Sequence, residues 1–206
     1  AEVKPAITLS ERQKRAIFIL PWLALICAPP MILLPSRASE WGSSVKVLQL
    51  IVFAPVAFLI CCRTFGQILG PLLAARLDLA RLAEKMWPLP AALALYLLFY
   101  AVAYSSQSLH VVAGSVILAH LASNVVYTVG NFQVLKAFDA AEMVWASGWI
   151  YRAMTLMTGL SGLVVGWVSD QFGTSIILGF SLLSLVLGSL FLLQPVLAFQ
   201  KESDHG

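Results

Sequence analysis

Six times along this chain a run of about 20 residues passes with almost no charge, and no Asp or Glu falls inside any of them. That is the length a helix needs to cross the ~30 Å hydrocarbon core of a bilayer. The runs lie at roughly 16–35, 46–70, 88–105, 109–135, 143–168 and 173–196. Composition closes off the soluble alternative. Residues of the AVILMFWYC set make up 60% of the chain and charged residues 11%, against about 25% charged in soluble domains. So few charges cannot cover a water-soluble globule. A net charge of +3 without a basic face is no nucleic-acid footprint either. The reading is an all-α integral membrane bundle of six transmembrane helices.

Three divisions follow. A polar lead-in spans 1–15, the six-span bundle 16–196, and a polar tail 197–206. The chain begins at Ala1 rather than Met, which reads as a processed or excised product, with no cleavable signal after it. Within the bundle the one long connection, 71–87, follows a Gly70-Pro71 break and carries Arg76, Asp78, Arg81, Glu84 and Lys85. It reads as an amphipathic linker helix lying on the surface. Pro21, Pro29 and Pro30 should bend or break the first span.

The basic residues set the expected orientation. With the N-terminus inside, Lys4, Arg12, Lys14, Arg15, Arg76, Arg81, Lys85, Lys136 and Lys201 are cytoplasmic, and only Arg37 and Lys46 lie outside. Trp41 and Trp167 then fall near the outer interface and Trp87 and Trp145 near the inner one. Both termini are expected in the cytoplasm, and the expected membrane is a bacterial inner membrane.

Intramembrane polarity is costly and faces protein or water. It concentrates in the second, fourth and fifth spans, as Gln49, Arg63 and Gln67, then His120, Asn124, Tyr127 and Asn131, then Trp149, Arg152 and Thr155. At 100° per residue the four residues of the fourth span fall within about 60° of one another, as one polar stripe. Such a stripe either lines a solute path or supplies interhelical hydrogen bonds that glue the bundle. Arg152, ~15 Å into its span, shares a face with Gly148, Gly159 and Gly166, and Gly162 lies slightly off it. A small-residue face invites a close neighbour, so Arg152 is expected to point into protein or a cavity. Arg63 is close enough to a span end to snorkel. Cys27, Cys61 and Cys62 sit in apolar runs without metal or redox spacing and read as small buried hydrophobes.

The arrangement resembles one half of a major facilitator superfamily transporter, in which six helices form two inverted three-helix repeats. The first two helices of each repeat line the path and the third stands outside. Polarity in spans two, four and five, with three and six left apolar, is similar to that division. Gln67 to Arg81, "QILGPLLAARLDLAR", occupies the place of the family's loop motif, but lacks its Gly-x-x-x-Asp-Arg-x-Gly core. Gly166, Asp170 and Gly173 have the Gly-x-x-x-Asp-x-x-Gly spacing of a degenerate copy. The run from Gly159 through Gly162 to Gly166 resembles the glycine-rich fifth helix of many exporters, without its proline.

The resemblance implies a 3+3 inverted-repeat bundle that moves a small solute by alternating access against a second six-span half. The polar lead-in and the tail favour the C-terminal half. It implies a path lined by His120, Asn124, Tyr127, Asn131, Arg152 and Thr155, with Gly159, Gly162, Gly166, Asp170 and Gly173 in gating or helix packing. Arg152 would favour an anionic or zwitterionic solute. No catalytic residue, metal or cofactor is expected, and no nucleic acid as partner.

Two other classes compete. One is a non-transporting accessory or assembly subunit whose polar stripes are buried against a partner chain. The other is the rhomboid-type intramembrane serine protease, which His120-x-x-x-Asn124 and Gly159-Leu-Ser161-Gly162 resemble. That chemistry needs a histidine in a later span to activate the serine. Only His205, in the tail, follows Ser161. Ser161 therefore reads as a helix-packing serine.

Overall fold

The computed structural model of the chain describes residues 9–42, 45–47, 51–78, 81, 82, 85, 87–173 and 175–203, as backbone alone at 40, 45–47, 51–53, 175 and 193–203. Six long helices dominate: α1 (Glu11–Ala38), α2 (Pro55–Ala74), α3 (Pro88–Ser105), α4 (Leu109–Ala137), α5 (Ala140–Phe172) and α6 (Ser175–Ser203). The first four are long and apolar enough to cross a membrane. The 33 residues of α5 are ample in length but diluted by Arg152 and by serines, threonines and glycines. The described apolar stretch of α6, Ile176–Leu192, is shorter.

Two expectations need correction. The run 46–70 is not helical throughout. Val45–Val47 (β1) pairs antiparallel with Ile51–Phe53 (β2), Val45 opposite Phe53. The β-branched residues of this stretch favour extended backbone, and Pro55 at the first helical position then starts α2. Nor does Gly70-Pro71 end the helix, which continues to Ala74. Of the linker 71–87, residues 79, 80, 83, 84 and 86 lie outside the described residues, as do Gln49, Lys4 with the rest of 1–8, and 204–206 of the tail. In the linker Asp78 accepts from the Arg81 amide at 3.0 Å and so starts a new turn.

α1 is the central post. It runs unbroken through Pro21, Pro29, Pro30 and Pro35, and 78% of its most apolar stretch is buried. Each proline removes a donor from the ladder, the one that would serve the carbonyl four residues earlier, at Ile17, Leu25, Ile26 and Met31. Tyr96 and Tyr104 donate to the carbonyls of Cys27 and Pro30, at 2.7 and 2.6 Å. α1 packs chiefly on α5, α6 and α4, while α4 packs chiefly on α2 and α3; α3 also meets α6.

The contacts fix helix directions. Gly66 meets Ile117 and His120 and Gly70 meets Asn124, so α2 and α4 run parallel. Gln13 bonds Glu142 at 3.1 Å and Ile32 touches Gly162, so α1 and α5 run parallel. Gly130 lies on Ile19 and Leu20, and Gly188 on Trp22. With the Cys27 and His120 region in common contact, α4 runs against α1.

Two capping boxes begin α1 and α5, Ser10 with Gln13 and Asp139 with Glu142. The Gln13–Glu142 hydrogen bond joins them side by side. Gly173, at φ 82°, ends α5 in the left-handed region. At the other end of α1, Arg37 donates to the Ser106 carbonyl and lies over the Trp41 ring, 4.9 Å from its centroid. Trp41 in turn donates to the Gln107 carbonyl at 3.3 Å.

Candidate functional site

The site is assembled on α4 by two neighbours with different surfaces. α2 offers glycine. Gly66 and Gly70, four residues apart, bring bare backbone against α4, so close that a Cβ on Gly70 would stand 2.3 Å from the Asn124 Cβ. This is the close approach that small residues permit between membrane helices. α3 offers tyrosine. Tyr96, Tyr100 and Tyr104 recur every fourth residue and share a face. Tyr96 and Tyr100 are fully buried, with ring centroids 4.8 Å apart.

His120 sits between these surfaces, 2% exposed. Its Nε2 lies 2.9 Å from the Tyr100 hydroxyl, and Tyr96 and Tyr100 present T-shaped contacts at 5.8 and 5.9 Å. The imidazole is thus held by a partner from another helix. The rest of the polar stripe is not. Asn124 donates to the His120 carbonyl at 2.8 Å, Thr128 to Asn124 and Asn131 to Tyr127, each at 2.9 Å, all within α4. Among the described residues, interhelical hydrogen bonding therefore accounts for His120 but not for Asn124, Tyr127 or Asn131.

Beside the stripe lies a cavity of about 290 Å³. α1 contributes Leu23, Ala24, Cys27, Ala28 and Met31, and α2 contributes Gln67; His120, Ser123, Asn124 and Tyr127 come from α4, with Met154 and Thr158 from α5. Its polar wall is one amide from each of α2 and α4, an imidazole and three hydroxyls, among apolar and sulfur-bearing side chains. Among the described residues no Lys, Arg, Asp or Glu lines it.

Of the six expected path residues, His120, Asn124 and Tyr127 meet at this cavity, while Asn131, Arg152 and Thr155 are not among its lining. The reason for the last two is rotational. The sides that α5 buries, Ala146, Ile150, Ser161 and Val165, form a narrow seam, and Arg152, Gly148, Gly159 and Gly166 lie about 150–170° away at 100° per residue. Arg152 and Thr155 are exposed, and among the described residues Thr155 bonds only back to the Tyr151 carbonyl at 2.9 Å. Among the described residues nothing lies within 4 Å of a Cβ on Gly148, Gly159 or Gly166, and a Cβ on Gly162 would meet Ile32 at 3.6 Å. The close neighbour expected for that glycine face is thus not found among the described residues. Asp170 is also exposed.

Three polar lining residues, Gln67, Ser123 and Thr158, escaped the sequence reading as site residues. Gln67 stands one turn before Gly70, and a Gly-x-x-x-Gly spacing at 66–70 was the available signal for its helix face. Ser123 adjoins Asn124. Thr158 follows the buried seam of α5 rather than its glycine face, a distinction that needs the neighbours. Ser161, the serine of the protease alternative, is fully buried, and its hydroxyl has no partner among the described residues. His205 lies outside them.

No protein-family model matches this sequence, and no curated protein or solved structure matches the chain.

Proposed function

We propose that this bundle is one six-helix half of a secondary transporter of the major facilitator type, moving a small solute by alternating access against a second six-span half. The observation that carries the reading is the origin of the cavity walls. They come from α1, α2, α4 and α5, the first two helices of each three-helix repeat, and among the described residues none comes from α3 or α6. The helix pairing is further support. Exchanging α1 with α4, α2 with α5 and α3 with α6 turns the α1–α5 and α1–α6 packings into α4–α2 and α4–α3, and leaves the α1–α4 and α3–α6 pairs unchanged. With α1 and α4 running in opposite directions, this is the pairing an inverted 3+3 repeat would have.

The solute is small, since 290 Å³ lies at the low end of ligand pockets. The described lining carries hydrogen-bonding groups and no fixed charge, which favours a neutral polar solute. An anionic solute requires Arg152 to be brought to the path by the second half, whose surface would cover the exposed face of α5. In this reading both termini are cytoplasmic, as the placement of Lys and Arg favours, and the chain sits in a bacterial inner membrane.

The test is solvent access. In the full-length parent with Cys27, Cys61 and Cys62 replaced by alanine, Asn124→Cys and Thr158→Cys should each react with a membrane-impermeant maleimide, and added solute should slow both. Uniform protection of both positions, from both sides, would favour the accessory-subunit reading instead.

A further inference from the structure

A second and larger concavity lies away from the solute cavity, between α1, α5 and α6. It encloses about 770 Å³, within the range of ligand sites. Its walls are apolar and aromatic, with Phe18 and Trp22 of α1, Trp145 and Trp149 of α5 and Phe191 of α6. Three features give it a direction. On α1 it extends from Lys14 to Leu25, on α5 from Trp145 to Met157, and on α6 from Phe191 back to Ser184. At 1.5 Å per residue that is a slot of roughly 16–18 Å parallel to the helix axes. This length is about one leaflet, half of a ~30 Å hydrocarbon core. Among the described residues its single charged lining residue, Lys14, stands at the end nearest the N-termini of α1 and α5, where a headgroup layer would lie.

We propose that this slot binds one anionic phospholipid of the leaflet on the N-terminal side, with an acyl chain along Phe18, Trp22 and Trp149 and the phosphate at Lys14. The charge complement is local. Lys14 already pairs with Glu11 at 2.6 Å, but both side chains are largely exposed. Such a pair is worth little and leaves the ammonium, with three donors, able to take a phosphate oxygen. Gln13 meanwhile keeps Glu142 occupied in the seam between α1 and α5. The aromatic walls suit an acyl chain, and Trp22 spends its indole N–H on the Ser184 carbonyl at 2.9 Å, so its ring is held in place. The site is independent of any transport activity.

The experiment uses the full chain in micelles, with Trp41, Trp87 and Trp167 replaced by Phe so that the three slot tryptophans report. Brominated phosphatidylglycerol should half-quench their fluorescence at an about five-fold lower mole fraction than brominated phosphatidylcholine, the effect of one basic residue. Lys14→Gln should abolish that preference, while Arg12→Gln, off the slot, should keep it. Ala153→Phe, which fills the slot, should weaken quenching by both lipids. Lys14→Gln lies on the surface, so it decides the matter even if the filled variant fails to fold. Equal quenching by the two lipids in the parent, or a preference that survives Lys14→Gln, overturns the proposal. So does displacement of the phospholipid by an equal mole fraction of free fatty acid, or a self-associated chain whose slot tryptophans are shielded from either lipid.

Discussion

α2 and α5 both carry glycines at helical spacing, and the two helices put them to opposite use. Gly66 and Gly70 of α2 lie against α4, where any added side chain would meet backbone or the root of Asn124. Gly159 and Gly166 of α5 meet no neighbour among the described residues. The same contrast holds for polar residues. His120 on α4 is locked by Tyr100, whereas Arg152 on α5 is exposed. A glycine or polar stripe in a membrane sequence thus marks a face that can be approached closely. It does not say whether the approach comes from within the chain or from outside it.

Substitutions can break this contrast. The largest effect is expected at Gly70→Leu. The new side chain has no space beside Asn124, and overpacking costs about 1–3 kcal/mol or more, enough to remove most of the folded, monodisperse protein. A wild-type thermal midpoint in detergent would mean that α2 and α4 are not in register at Gly70. Gly188→Ala comes next, since its Cβ would lie 1.9 Å from the Trp22 Nε1. A loss of about 1–3 kcal/mol is expected, with a shifted Trp22 emission; unchanged unfolding and emission would place Trp22 elsewhere.

Tyr100→Phe should cost about 1–3 kcal/mol by leaving His120 Nε2 buried without its partner. The paired change Tyr100→Phe with His120→Leu should recover part of that loss, because both polar groups then leave together. If the single variant is as stable as the parent, the imidazole is reached by water and belongs to the cavity rather than to the core. The smallest effect is expected at Gly159→Leu, within about ±0.5 kcal/mol for the isolated chain. If the same substitution prevents assembly with a second bundle while the isolated chain stays folded, the α5 face is an interface. Wild-type assembly would leave it facing lipid.

Much of the fold was legible in residue order. Pro88–Ser105 and Leu109–Ala137 lie where their apolar runs do, because a bilayer demands length and apolarity and both are local properties. The capping pairs Ser10–Gln13 and Asp139–Glu142 were also readable, being spaced by three residues just ahead of an apolar helix. The 45–53 segment was not. Its hydropathy suits a span, and only its β-branched residues and the proline at 55 argue for extended chain.

The candidate site divides along the same line. Period 3.6 alone places His120, Asn124 and Tyr127 on one face of α4, so their convergence on the cavity was open to the sequence. Which face of α5 turns inward was not. Its glycine-rich face and its Ala146–Ile150–Ser161–Val165 seam both carry small residues that permit close packing, and Arg152 on the former points equally to a buried path or to an outer surface. Shape complementarity with α1 and α6 makes that choice. Periodicity fixes the angles between residues on one helix, but the rotation of the helix about its own axis is set by the neighbours it packs against.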